Sequence, residues 1–152
     1  MQLTLYTDYS FRTLAYLCLH EEKSCTISEI ADFYDISRNH LVKIVHNLSK
    51  AGFITSARGK GGGIRLSRPA EQINIIDIVQ HTEPSLALVA CFNPQAKHTC
   101  SIEPICALKG LLANAMSQFL RALENYTVAD LLKEKSSWQS INFLEKISLD
   151  KQ

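Results

Sequence analysis

The sequence predicts a mainly α-helical fold carrying one small β-hairpin, and three observations predict it. Apolar residues recur at helical spacing in separate stretches, a glycine-rich tip splits two short β-prone runs, and threonine or serine stands where helices should begin. At 152 residues the chain can own a real core. Its 46% hydrophobic and 20% charged residues exclude a disordered or fibrous class.

Thr7 to Leu19 places Phe11, Leu14, Ala15 and Cys18 on one face, which predicts a first amphipathic helix. Thr26-Ile27-Ser28-Glu29 has the spacing of a capping box and opens a short second helix ending near Asp35. Ser37 is placed to cap a third helix with the stripe Leu41, Ile44, Val45 and Leu48, and Gly52 to stop it. Two helices joined by a tight turn read as a helix-turn-helix. Phe53 to Arg58 and Ile64 to Leu66 flank the tip Gly59-Lys60-Gly61-Gly62-Gly63, so a β-hairpin follows as a wing. Asn74 to Gln80 predicts a short apolar helix, closed by Pro84.

Ser85 to Pro104 lacks periodicity, and so long a loop in a small protein is usually functional. Periodicity returns in Leu108, Leu111, Leu112, Ala115, Phe119 and Ala122, a long helix read as the dimerisation element. A short turn of helix is expected near Thr127 to Leu132, and the tail to Gln152 is mixed. The expected organisation is a winged helix-turn-helix domain over 1–82, a cysteine-bearing loop over 83–104, a dimerisation helix with the short following helix over 105–132, and a tail over 133–152.

The net charge of +1 hides an asymmetry. From Ile36 through Ala70 there are seven basic residues and no Asp or Glu, while the remaining nine basic and fifteen acidic residues leave −6 elsewhere. Such a segment suits a phosphate backbone, although a solvated basic face has the same composition. The start of the third helix supplies Ser37, Arg38, Asn39 and His40, with Lys43 one turn on. Arginine pairs bidentately with guanine and asparagine with adenine, which is the chemistry of major-groove reading on double-stranded DNA. Ser28 is placed for a phosphate, and the tip residues Arg58, Lys60, Gly61 and Gly62 for a narrow minor groove. No aromatic platform interleaves this segment, which argues against single-strand or RNA binding.

Of five cysteines, Cys91, Cys100 and Cys106 fall in one loop-to-helix segment. Three thiolates there can converge on a soft metal. Their spacing alone fits an iron–sulfur cluster, zinc completed by His98, or bare redox thiols. Cys18 and Cys25 read as structural. Nucleophile–base and phosphate-loop signatures are missing, since the glycines at 59–63 lack the Walker spacing, so an enzyme is not expected. The N-terminus, Met1 to Asp8, is too polar and short for a signal peptide, and no apolar run reaches the length of a membrane span. The expectation is a cytosolic chain that does not meet a membrane.

Several segments together resemble one family. They are Leu3-Thr4 with Thr7-Asp8-Tyr9, Ile27-Ser28-Glu29-Ile30-Ala31, Ser37-Arg38-Asn39-His40-Leu41-Val42-Lys43, the wing Arg58 to Leu66, the cysteine trio, and Asn125-Tyr126-Thr127-Val128-Ala129-Asp130-Leu131. The chain is similar, over residues 1 to about 132, to the iron–sulfur winged-helix regulator family of IscR and NsrR. Arg38-Asn39-His40 and Glu83-Pro84 fit its nitric-oxide-sensing branch. The resemblance implies a homodimeric transcriptional repressor whose [2Fe-2S] or [4Fe-4S] cluster supports binding to an operator. Nitrosylation of that cluster by nitric oxide would release the DNA and derepress detoxification genes. In part of the family an N-terminal aspartate from the partner subunit completes the ligand set and Asp8 matches it, whereas Lys109 stands where another branch carries a ligating histidine; capping of the first helix is the other reading of Asp8. A regulator of the same architecture that senses cluster status or oxidants, and a structural zinc protein with an interaction loop, are the competing expectations.

Overall fold

The computed structural model describes residues 2–57, 59, 62–93 and 100–133. The predicted Arg58, Lys60, Gly61 and His98, and the tail beyond residue 133, lie outside the described residues.

Helix α1 spans Leu5–Leu19 and begins two residues earlier than its apolar periodicity suggests. Thr4 is the reason, because its hydroxyl accepts from the Thr7 amide and satisfies one of the helix's orphan donors. One face of α1 buries Leu14, Ala15, Leu17 and Cys18. Helix α2, Ile27–Tyr34, starts with the predicted capping box, since Glu29 N donates to Thr26 Oγ1 while Thr26 N donates to Glu29 Oε2. Asp35 turns the chain sharply with a left-handed φ of 51°, and Ile36 N donates back to Ala31 O at 3.0 Å. Helix α3, Arg38–Lys50, follows with Leu41, Ile44, Val45 and Leu48 inward. Ser37 stands at its N-cap position, yet its hydroxyl makes no capping bond, contrary to expectation. The Ser37 carbonyl instead accepts from His40 and Leu41, and the side chain stays exposed. Gly52, at φ 78°, ends the helix.

Strands β1, Ile54–Ala57, and β2, Gly63–Leu66, pair antiparallel with Ile54 opposite Leu66 and Ala57 opposite Gly63. The hairpin is pinned to the helices at its base. Cys25 N donates to Ile64 O at 2.9 Å and Ile64 N to Cys25 O at 2.7 Å, so the turn between α1 and α2 adds one residue of a third strand. Helix α4, Ile75–Thr82, is capped by Asn74 and buries Ile78 and Val79.

Among the described residues between α4 and the next helix there are two single 3₁₀ turns, Ala90–Phe92 and Glu103–Ile105. Helix α5 then runs Ala107–Glu124, and no residue along it is buried. Its C-terminal end is nevertheless anchored. Ile75 N donates to Tyr126 O and Val128 N to Ile73 O, both at 2.9 Å, and a last 3₁₀ turn, Val128–Leu132, buries Val128 and Leu132 against α1. Among the described residues no helix is long and apolar enough to cross a membrane.

A Cβ built on Gly63 would lie 2.7 Å from the Cys25 carbonyl oxygen, part of the bridge that fixes the wing. Gly63→Ala is expected to lower stability by about 1–3 kcal/mol through overpacking at this contact. A urea unfolding midpoint unchanged from wild type would contradict that assignment.

Candidate nucleic-acid interface and metal centre

Burying one stripe of α3 leaves its other face to solvent. Arg38, Asn39, His40, Val42, Lys43 and His46 are all exposed there, so the side chains predicted to read base edges share one outward surface. The turn at Asp35 sets α3 across α2, and Ser28 is exposed at the start of α2. Ser28, Arg38, Ser56 and Gly63 line one notch between the start of α2, the start of α3 and the base of the hairpin. Helix-turn-helix and wing therefore meet in a continuous concave edge. Of the predicted tip residues Gly62 is described, and its amide donates to Gly59 O at 2.9 Å. Gly59 has φ 102°, a conformation that glycine takes without steric cost.

The cysteines divide by position. Cys18 and Cys25 are 2% and 0% exposed, and burial pushes the Cys25 thiol up, which keeps it an unreactive core side chain. Cys91 and Cys106 are half-buried, Cys100 is exposed, and all five are free of disulfides. Cys91, Cys100 and Cys106 open onto one cleft walled by Phe92, Pro104 and the first turns of α5. Among the described residues no three His, Cys, Asp or Glu side chains stand close enough to grip an ion as placed. The donor set nevertheless fits a soft metal, because three free thiols face one space with no competing pairing.

A charged pair on the cleft wall escaped the sequence reading. Lys109 Nζ lies 2.6 Å from Glu103 Oε1, and both residues line the cleft. The Glu103 hydrogen bond holds the Lys109 ammonium above its usual range, with added help from the charge of Cys91 and Cys106. The signal was present as a carboxylate three residues before Cys106 and a lysine three after it, on either side of a helix start.

Asp8 lies in the first turn of α1 and is not its cap, a role held by Thr4. Its carboxylate makes a partly exposed ion pair with Arg12, Oδ2 to Nε 2.9 Å, and does not line the cysteine cleft of its own chain. The exposed Ile102, Ile105, Leu108 and Leu111 run from the edge of that cleft along the start of α5. Their exposure is what a helix that meets its main packing partner in another chain would show.

Comparison with known proteins agrees with this architecture. Residues 3–134 match the model of the Rrf2 family, described as an iron-dependent transcriptional regulator. The HTH-type transcriptional regulator NsrR of Halalkalibacterium halodurans is 46% identical over 142 residues, covering 93% of this chain and 97% of that protein. Its counterpart in Shouchella clausii is also 46% identical, over 93% and 95% of the two chains. Among solved structures, T. potens IscR superposes with a TM-score of 0.69 at 25% identity, covering 88% of each chain. CymR, the global cysteine regulator of B. subtilis, shares the fold with a TM-score of 0.71 at 23% identity, over 86% of this chain and 95% of that one.

The burial pattern predicts how the thiols react. In metal-free native protein, a small alkylating reagent should modify Cys91, Cys100 and Cys106 and spare Cys18 and Cys25 until the chain is unfolded. Peptide mass spectrometry reads the sites, and early labelling of Cys25 would contradict its place in the core.

Proposed function

The chain belongs to the Rrf2 family of transcriptional regulators, and from that premise we propose that it is a homodimeric repressor whose iron–sulfur cluster supports operator binding and whose reaction with nitric oxide ends it. The observation that carries this reading is the division of the cysteines: three open onto one cleft, and two are sealed in the core. Core thiols need no metal, whereas three accessible thiols that line one cleft suit a soft metal.

On this reading residues 1–82 form the DNA-binding unit. Helix α3 enters the major groove with Ser37, Arg38, Asn39 and His40 at base edges, and Lys43, one turn on, reaches the backbone beside it. Ser28 meets a phosphate at the start of α2, while Arg58, Lys60, Gly61 and Gly62 carry the wing along the minor groove. Residues 83–104 form the cluster loop, and Cys91, Cys100 and Cys106 hold a [2Fe-2S] or [4Fe-4S] cluster. When bound, the cluster supplies iron sites at which nitric oxide can react. The exposed stripe of α5 pairs two chains, and the partner subunit's Asp8 completes the ligand set, leaving its Arg12 pair to do so. Each cluster is thereby tied to the reading head of the opposite chain, which gives loss of the cluster a physical route to both heads. The same reading places the protein in the cytoplasm, with no catalytic role.

Two measurements test the halves separately. On a duplex selected from random-sequence DNA, Lys43→Ala should weaken binding across all sequences and lower the salt slope by about one, while Arg38→Ala should lose about 1–3 kcal/mol of discrimination at one base pair. Unchanged specificity in Arg38→Ala removes that residue from the groove.

Protein isolated without oxygen should contain iron and sulfide in comparable amounts and absorb visible light, and nitric oxide should abolish its hold on that duplex. Zinc at about one per chain with no chromophore, the pattern of a tetrahedral structural site, would sink the gas-sensing mechanism. A cluster that ignores nitric oxide but responds to oxidants would instead establish the sibling function.

A further inference from the structure

One carboxylate joins three parts of the chain. Glu83 sits at the C-terminal end of α4, where its own amide donates to Val79 O and Pro84 prevents the helix from continuing. Its Oε1 accepts from Thr4 N at 2.8 Å, from Thr4 Oγ1 at 3.1 Å, and from Thr7 Oγ1 in a short contact. Thr7 is fully buried and its hydroxyl also points at Thr82 Oγ1, 2.9 Å away, which in turn donates to Ile78 O. The first turn of α1 is thus fastened to the last turn of α4 across more than seventy residues of sequence.

Two features make this more than a helix cap. Thr4 already caps α1 with its own hydroxyl, so Glu83 adds a second, long-range acceptor carrying full negative charge at the positive end of the helix. Burial pushes the Glu83 carboxyl up, but hydrogen bonds from Thr7 and Thr4 more than reverse this and hold it below the usual carboxylate range. The residue also faces a crevice in which Leu3, Leu86, Leu88, Met116 and Phe119 bring together the N-terminal segment, the start of the cysteine loop and α5. Among the described residues, Glu83 is the one charged side chain lining that crevice.

We propose that Glu83 is a positioning residue that fixes the first turn of α1, and Asp8 within it, to the root of the cysteine loop, so that the state of the loop reaches the DNA-reading helix. The route is short: the loop leaves α4 beside Glu83, Thr7 precedes Asp8, and α1 packs directly on α3. This rests on the cluster reading given above, and adds to it the residue that carries the coupling inside one chain.

The test uses the full chain, prepared without oxygen, as wild type, Glu83→Gln, Glu83→Ala and Thr7→Val. Iron and sulfide content, affinity for the selected duplex with and without removal of metal, and amide exchange over residues 4–8 are measured for each. Glu83→Ala and Thr7→Val should keep iron and sulfide but reduce the affinity ratio between metal-loaded and stripped protein by about tenfold, within the usual range of site-to-site coupling. Their residues 4–8 should exchange faster, with Glu83→Gln, which keeps an acceptor oxygen, lying between them and wild type. An unchanged ratio, or unchanged exchange over residues 4–8, overturns the proposal. Should Glu83→Ala fail to fold, Glu83→Gln and Thr7→Val decide in the same way. A wild-type ratio of one rejects the cluster reading instead. Exchange over residues 4–8 in stripped protein then decides alone whether Glu83 holds the turn.

Discussion

The burial of α1 is the constraint on which the other elements depend. It packs against α2, α3, α4, the second strand of the hairpin and the last 3₁₀ turn. Leu14 and Leu17, at 0% and 2% exposure, are surrounded on all sides. A helix in that position cannot shift without moving its neighbours, because close-packed cores transmit displacement rather than absorb it. The reading helix and the segment that leads to the thiols both lean on it. Hydrogen bonds then refine what packing has placed. The Cys25–Ile64 pair sets the angle of the wing, and Glu83 sets the entry of α1.

Much of this was legible in the sequence. The capping box at Thr26 and Glu29, the stripe of α3 and the hairpin all form as patterned, because each is a local device whose physics lies within a few residues. The family was legible for a different reason, since its marks are strung along nearly the whole chain. What escaped was long-range. The start of α1 at Leu5 needs Thr4, and the role of Thr4 completes itself only through Glu83, far along the chain. The Glu103–Lys109 pair needed the turn at Pro104 before its two charges could meet. Ser37 failed in the opposite sense: its residue type and place were right for a cap, but the backbone carbonyl took the bonds and left the hydroxyl to solvent.

The molecule also separates its two chemistries in space and in texture. The proposed nucleic-acid face is the exposed side of α3, whose other side is locked into the core, so the helix that carries its side chains is held firmly. Cys91 sits in one 3₁₀ turn, Cys100 lies ahead of the other and Cys106 stands at the start of α5, with few buried groups among the described residues to hold them. Few buried apolar contacts are the mark of a segment that rearranges at low free-energy cost, and such segments are where ligand-responsive elements arise. In the proposed function, a firmly packed reading helix and a loosely held thiol segment, joined through α4 and α1, give a signal somewhere to start and something firm to push.

The unburied α5 carries a consequence for how such a regulator is set in the cell. In a single chain its apolar stripe, Leu108 and Leu111 foremost, stays in water, while its far end is moored through Val128. In the proposed dimer, covering that stripe and completing the cluster with the opposite chain's carboxylate are one equilibrium. Mass action then makes cluster retention rise with the number of chains present. A cell that made less of the protein would lower repression twice, through fewer readers and through a looser grip of each on its iron. Abundance would become a setting of sensitivity as well as of capacity.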